Sequence, residues 1–214
     1  MLVAFCDSTR RGASLRQQYP HDGEEDRRAI EAFRDHPRGE AERRAVSAML
    51  SRYAERVYAF CFRFAEDHDL ARDLAQDALL QAYEKLDSLQ DASRFRPWLF
   101  TIARNRCLME FRKVNLLRDC TGELEDLQSP EPDPARRYEE EVDRAALERL
   151  ILESLDAREQ EAIYLRCFER MSVDSITAVL GVGEASGARG LLQRARRKLR
   201  SAMAADGREE GSRA

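Results

Sequence analysis

At 214 residues the chain has room for one large domain or two small ones, and its composition, 43% hydrophobic and 36% charged with few aromatics, resembles a soluble helical protein more than a sheet or membrane protein. A net charge of -4 excludes a uniformly basic nucleic-acid coat, so any affinity for DNA must come from local patches. Cys6, Cys61, Cys107, Cys120 and Cys167 form no CxxC and have no histidine at metal-ligand spacing; they read as reduced thiols with no structural zinc. With no signal-peptide core and no apolar run of the ~20 residues that spans a bilayer, the chain is expected in the cytoplasm, without membrane insertion.

Residues 1–40, with Arg10-Arg11, Glu24-Glu25-Asp26 and Pro37, carry no usable pattern and read as a variable N-terminal extension. From 43 to 64 the apolar residues Val46, Met49, Leu50, Tyr53, Val57, Phe60, Cys61 and Phe64 recur at three- and four-residue spacing, which predicts a helix with one buried face. Leu70, Leu74, Ala78, Ala82 and Leu86 repeat the pattern in a second helix. A third opens at Pro97, suited to a first helical turn, and runs through Trp98, Leu99, Ile102, Ala103 and Met109. These three helices make a first module over 41–113.

After Lys113 the periodicity fails, and an acidic segment with Pro130, Pro132 and Pro134 predicts an extended linker over 114–136. Periodicity returns with Tyr138, Val142, Ala146 and Leu150, opening a second module over 137–204 that leaves 205–214 as a tail. Asp156 followed by Glu159 predicts a capping box, with Ala162, Ile163 and Leu165 inward. Ser172 caps a short helix holding Val173, Ile176, Val179 and Leu180, and Gly181-Val182-Gly183 breaks it. The last helix carries Ala188, Leu191, Leu192, Ala195, Leu199 and Met203 on one stripe and Arg189, Gln193, Arg196, Arg197 and Arg200 on the other. A short helix, a glycine turn and a basic amphipathic helix outline a helix-turn-helix DNA reader.

Charge is segregated along the chain. Residues 66–91 are dominated by acids, 94–113 hold Arg94, Arg96, Arg104, Arg106, Arg112 and Lys113 against Glu110 alone, and 189–200 hold no acid. Any one such run is ordinarily a solvated face. Two basic runs, each carried on an apolar periodicity, weaken that ordinary reading.

The stretch Asp73-Leu74-Ala75-Gln76-Asp77-Ala78-Leu79-Leu80-Gln81-Ala82-Tyr83 resembles the D-L-x-Q-E-x-F-L-x-A-W signature of the extracytoplasmic-function group of the bacterial sigma-70 family. Phe95-Arg96-Pro97-Trp98-Leu99 with Ile102-Ala103-Arg104-Asn105 resembles its F-R-x-W-L-x-x-I-A-R-N. The second module is less faithful: the family's Pro is Asp156, an expected Arg is Gln160, the turn after Leu180-Gly181 is one residue longer, and Gly190 and Leu191 replace Ser and Arg.

The resemblance implies an all-α protein, a sigma region 2 helical bundle and a region 4 helix-turn-helix joined by an acidic, proline-containing linker. It implies core RNA polymerase, promoter DNA and an anti-sigma factor as partners, with no cofactor and no metal. Asp73, Gln76, Asp77, Leu80 and Tyr83 would dock on a coiled coil of the polymerase. Arg94, Phe95, Arg96, Trp98, Arg104, Asn105, Arg112 and Lys113 would hold the minus-10 element, where opened strands call for cations and aromatic faces. On its own spacing Trp98 reads as core, and Phe95 is open between core and DNA. Ser186, Arg189, Gln193, Arg194, Arg196 and Arg197 would meet the minus-35 element. Only Arg189 among the early positions offers a bidentate donor for guanine; the later cations should add salt-sensitive affinity.

Other classes fit less of the chain. A dimeric helix-turn-helix regulator explains the last helix and leaves the first module's signatures unexplained. An enzyme is disfavoured because His21, His36 and His68 lie apart from any nucleophile motif, glycine-rich phosphate loop or paired metal ligand. A pure interaction protein, such as an anti-sigma factor, would not need both basic helices.

Overall fold

In the computed structural model, residues 22–121, 149–183 and 185–211 are described, and the side chains of 22, 114–121 and 205–211 are left aside. Every regular element among them is helical, and the chain divides into two compact units at Pro132 and Asp133. The first contains α1 (Asp22–Asp35), α2 (Glu40–Ala65), α3 (His68–Glu84), two single 3-10 turns (Leu86–Ser88 and Ala92–Arg94) and α4 (Phe95–Thr121). The second contains a helical stretch at 149–154, then α5 (Ala157–Cys167), α6 (Val173–Leu180) and α7 (Gly187–Gly211).

In the first unit Val46, Met49, Tyr53, Val57, Phe60 and Cys61 of α2 are fully buried, as their spacing predicts. Asp67 starts α3 by accepting the Leu70 N–H at 2.7 Å. The predicted face of α4 is shifted. Leu99, Phe100, Ala103 and Cys107 form its buried stripe, whereas Trp98 and Ile102 are half-buried and Met109 is 53% exposed. Phe100 meets Phe60 edge-on at 5.3 Å, which fixes the helix in this rotation.

Two expectations are corrected here. Residues 22–35 are not a featureless extension but a helix packed on α2 and on the turn before α4, with Ile30 fully buried and Phe33 nearly so. Asp26, 2% exposed, accepts the Tyr53 hydroxyl and, at 2.7 Å, an Arg52 N–H, so its buried charge is paired. The third helix also runs eight residues beyond the expected boundary at Lys113, from Phe95 to Thr121, because nothing between 114 and 121 breaks a helix. The proline-bearing part of the linker, the periodic residues Tyr138 to Ala146, residues 1–21, Glu184 and the last residues of the tail lie outside the described residues.

In the second unit the capping box is complete: the Glu159 N–H donates to Asp156 Oδ1 at 2.9 Å and the Asp156 N–H to Glu159 Oε2 at 3.2 Å. Ser172 caps α6 by accepting the Ser175 N–H at 3.1 Å, and Gly181 ends α6 at φ +58°. A second glycine, Gly187 at φ +52°, starts α7 so close to α6 that an added Cβ would stand 2.7 Å from Thr177 Oγ1. That same oxygen accepts the Ala188 N–H at 2.9 Å, so α6 caps the helix that follows it.

Candidate functional site

Three surfaces collect the residues singled out from sequence. On α3, Asp73, Gln76 and Asp77 are exposed, Leu80 is 56% exposed, and Tyr83 is half-buried against Phe33 of α1, ring centroids 6.0 Å apart. Leu74 and Ala78 face inward, so the helix has one face in the core and another turned out. Gln76, Leu80 and Tyr83 form part of one wall of an open groove of about 1080 Å³ between α2 and α3, with Leu50, Ala54 and Tyr58 opposite and Arg43, Arg44 and Arg72 around it. An exposed leucine at the mouth of an apolar groove rimmed by charge is the make-up of a protein interface. Asp77 has a second role: Arg106 of α4 lies 3.8 Å from its carboxylate and donates to Gln81 at 3.2 Å, tying α3 to α4.

The second surface is the outer face of α4 and the turn before it. The Ser93 hydroxyl and N–H, both bound to Asp91, hold the Asp91 carboxyl below the usual carboxylate range and fix that turn. Arg94, Asn105, Arg112 and Lys113 are exposed, and Arg96 and Arg104 half-buried. Trp98, Asn105 and Arg112 recur at seven-residue spacing and so share a stripe, with Trp98 half-buried. Phe95 does not join them. It is 1% exposed and edge-on to Tyr53 at 5.4 Å, because an α4 helix that starts at Phe95, not Pro97, turns its first side chain into the core. Trp98, expected as core, leans on it at 6.0 Å. Sequence reasoning missed the wall behind this surface, in which Asp26 holds Tyr53 and Arg56 lies 4.7 Å over the Tyr53 ring. Ile30 and Phe33, three apart, were its only trace.

The third surface is α7. Ser186, Arg189, Gln193, Arg196, Arg197 and Arg200 are exposed, and Leu191 is buried as expected. Arg194 turns the other way: its Nε lies 3.7 Å from Glu159 Oε1 on α5. Lys198, one turn on, donates to Glu159 Oε2 at 2.6 Å. The cations of α7 are thus divided between an outer face and a buried acid.

The first of these surfaces lies almost wholly within a stretch, residues 49–116, that matches the Sigma-70 region 2 family. An ECF RNA polymerase sigma factor, EcfG of Rhodopseudomonas palustris, is 31% identical over 153 residues, a match that spans 71% of this chain and 81% of that one. The chain belongs to the extracytoplasmic-function group of sigma factors. As such a factor it binds core RNA polymerase and directs promoter recognition, DNA opening and transcription initiation. SigL of Mycobacterium tuberculosis is a second ECF relative, 30% identical over 149 residues, covering 67% of this sigma factor and 81% of SigL. Among solved structures, the sigma factor RpoE of Bartonella quintana, in complex with the anti-sigma factor NepR, aligns at a TM-score of 0.58 with 27% identity, covering 75% of this chain and 97% of that one. CnrH, in complex with the cytosolic domain of CnrY, aligns at 0.56 with 25% identity, covering 85% and 99%. No helix among the described residues of this sigma factor is long and apolar enough to cross a membrane, and none of their side chains cluster as metal ligands.

Proposed function

We propose that the three surfaces divide the work of initiation. The α3 face with Asp73, Gln76, Asp77, Leu80 and Tyr83 docks on core polymerase, where the exposed carboxylates of Asp73 and Asp77 beside an exposed leucine suit a basic helical partner. The α4 surface with Arg94, Arg96, Trp98, Arg104, Asn105, Arg112 and Lys113 holds the opened minus-10 strand, cations along the backbone and Trp98 offering a ring for an unstacked base. Phe95 serves it from behind, as the wall that aims the first turn of α4. Ser186, Arg189, Gln193, Arg196 and Arg197 of α7 meet the minus-35 element, Arg189 reading a base and the others phosphates. The factor works in the cytoplasm under an anti-sigma partner, a reading supported by RpoE, which is held by the anti-sigma factor NepR.

The observation that carries this division is the contrast between an exposed acidic and apolar face on α3 and exposed cationic faces on α4 and α7. The test is co-purification with core polymerase followed by run-off transcription from a cognate promoter. Binding without initiation would remove the two DNA surfaces; no binding would remove the docking face.

A further inference from the structure

We propose that Glu159 is a positioning residue for promoter binding, which withholds Arg194 and Lys198 from DNA phosphates and fixes the rotation of α7 on α5. The inference rests on reading α7 as the helix that meets the minus-35 element. Its sequence gives no sign of this division, since all the cations from 189 to 200 read as one basic block.

Glu159 is fully buried. One carboxylate oxygen accepts Lys198 Nζ at 2.6 Å and the Asp156 N–H at 3.2 Å. The other has no hydrogen-bond partner among the described residues and faces Arg194 Nε at 3.7 Å. Lys198 also lies 3.7 Å from the Asp156 carboxylate. A buried carboxylate is tolerated as an ion only beside opposite charge, and removing one partner of a buried pair leaves the other stranded. A phosphate that drew Lys198 or Arg194 away would therefore strand Glu159, a cost that a contact to Arg189 or Arg200 does not carry among the described residues.

The helix geometry separates the two groups. Arg194 and Lys198 are four apart and share the face turned to Glu159, their side chains 42% and 40% exposed. Arg189, Gln193, Arg196 and Arg200 follow at i, i+4, i+7 and i+11, which places them on a separate stripe, where Arg189, Gln193 and Arg196 stand by Ile163, Arg166 and Cys167 near the other end of α5 and away from Glu159. Arg189 and Arg200 are exposed and have no acidic partner among the described residues, so a phosphate can take them at no such cost. Glu159 thus sets how many cations the helix offers to DNA and at what angle it offers them.

Counterion release makes the division measurable, because each cation that meets a phosphate adds about 0.9 to the slope of log affinity against log salt. The experiment measures binding of a cognate promoter fragment by the reconstituted holoenzyme across salt concentrations. Arg196→Ala should flatten the slope by about one. Arg194→Ala and Lys198→Ala should leave it unchanged, and Glu159→Gln, which frees both cations, should steepen it by about one to two. If Arg194→Ala and Lys198→Ala flatten the slope as Arg196→Ala does, the proposal is overturned; a loss of affinity in Glu159→Gln at every salt concentration without steepening overturns it as well. Should Glu159→Gln fail to fold, the two cation variants decide alone. A slope that none of the variants moves, Arg196→Ala included, overturns the reading of α7 as a DNA-binding helix and this inference with it.

Discussion

Asp156 stands where the family has proline, and its side chain does what a proline cannot. Proline at the start of a helix pre-sets one dihedral angle; Asp156 instead accepts the Glu159 N–H and keeps its own N–H to donate back. Burial pushes its carboxyl up, but the Glu159 N–H bond, the Lys198 ammonium and the Arg158 N–H outweigh it, and the carboxyl is held below its ordinary value. A carboxyl lowered by folding contributes stability that is present above the unfolded value, about 3.9 for aspartate, and is lost as pH falls through the lowered folded value. The C-terminal unit should therefore lose stability on acidification below about pH 4. Asp156→Asn, which caps nearly as well without titrating, should flatten that dependence, and Asp156→Ala should cost about 1 kcal/mol at neutral pH. Denaturant unfolding at several pH values, followed by circular dichroism, checks all three.

Among the elements, α3 has one face in the core and another in solvent, and α1 packs only inward. The inner side of α3 is alanine and leucine, small enough for α2 to approach closely, and its outer side keeps Leu80 in solvent. Leu80→Asp should leave the helical signal intact and weaken core polymerase binding about tenfold or more, as loss of a central anchor does. Charge reversal at Asp77 is a less clean probe, because it also breaks the contact with Arg106. The contribution of α1 is packing: Ile30→Ala should destabilise the first unit by ~2–5 kcal/mol, the usual cost of emptying a buried aliphatic site. Trp98, the single tryptophan, sits in that unit, so its fluorescence reports this loss. An unfolding midpoint unmoved by Ile30→Ala would mean that α1 is dispensable.

At the scale of the whole molecule, separate surfaces on separate helices imply separable defects. Replacing Arg94, Arg96 and Asn105 together by Ala should reduce strand opening, read by permanganate footprinting, far more than it reduces binding to core polymerase. Equal losses in both would mean that this surface supports the fold instead of the open strand.

The helices themselves were legible in the sequence because they rest on local rules. Apolar spacing marked the buried face of α2, Asp156 and Ser172 marked two helix starts, and Gly181 marked the end of α6. The family was legible as well, carried by the ordered signatures at Asp73 to Tyr83 and Phe95 to Asn105. What the sequence could not decide was which side of a helix a neighbour covers. Phe95 was open between core and DNA until Tyr53 lay against its ring. Helix α1 has too few apolar residues to announce itself, and its place depends on Asp26 reaching residues twenty-six and twenty-seven positions away. Arg194 and Lys198 look like their neighbours in a basic run, and only the approach of α5 brings a buried carboxylate to them. Periodicity fixes a side chain's angle about its own helix axis; the charge or ring it meets there comes from a distant part of the chain, and only tertiary packing sets that.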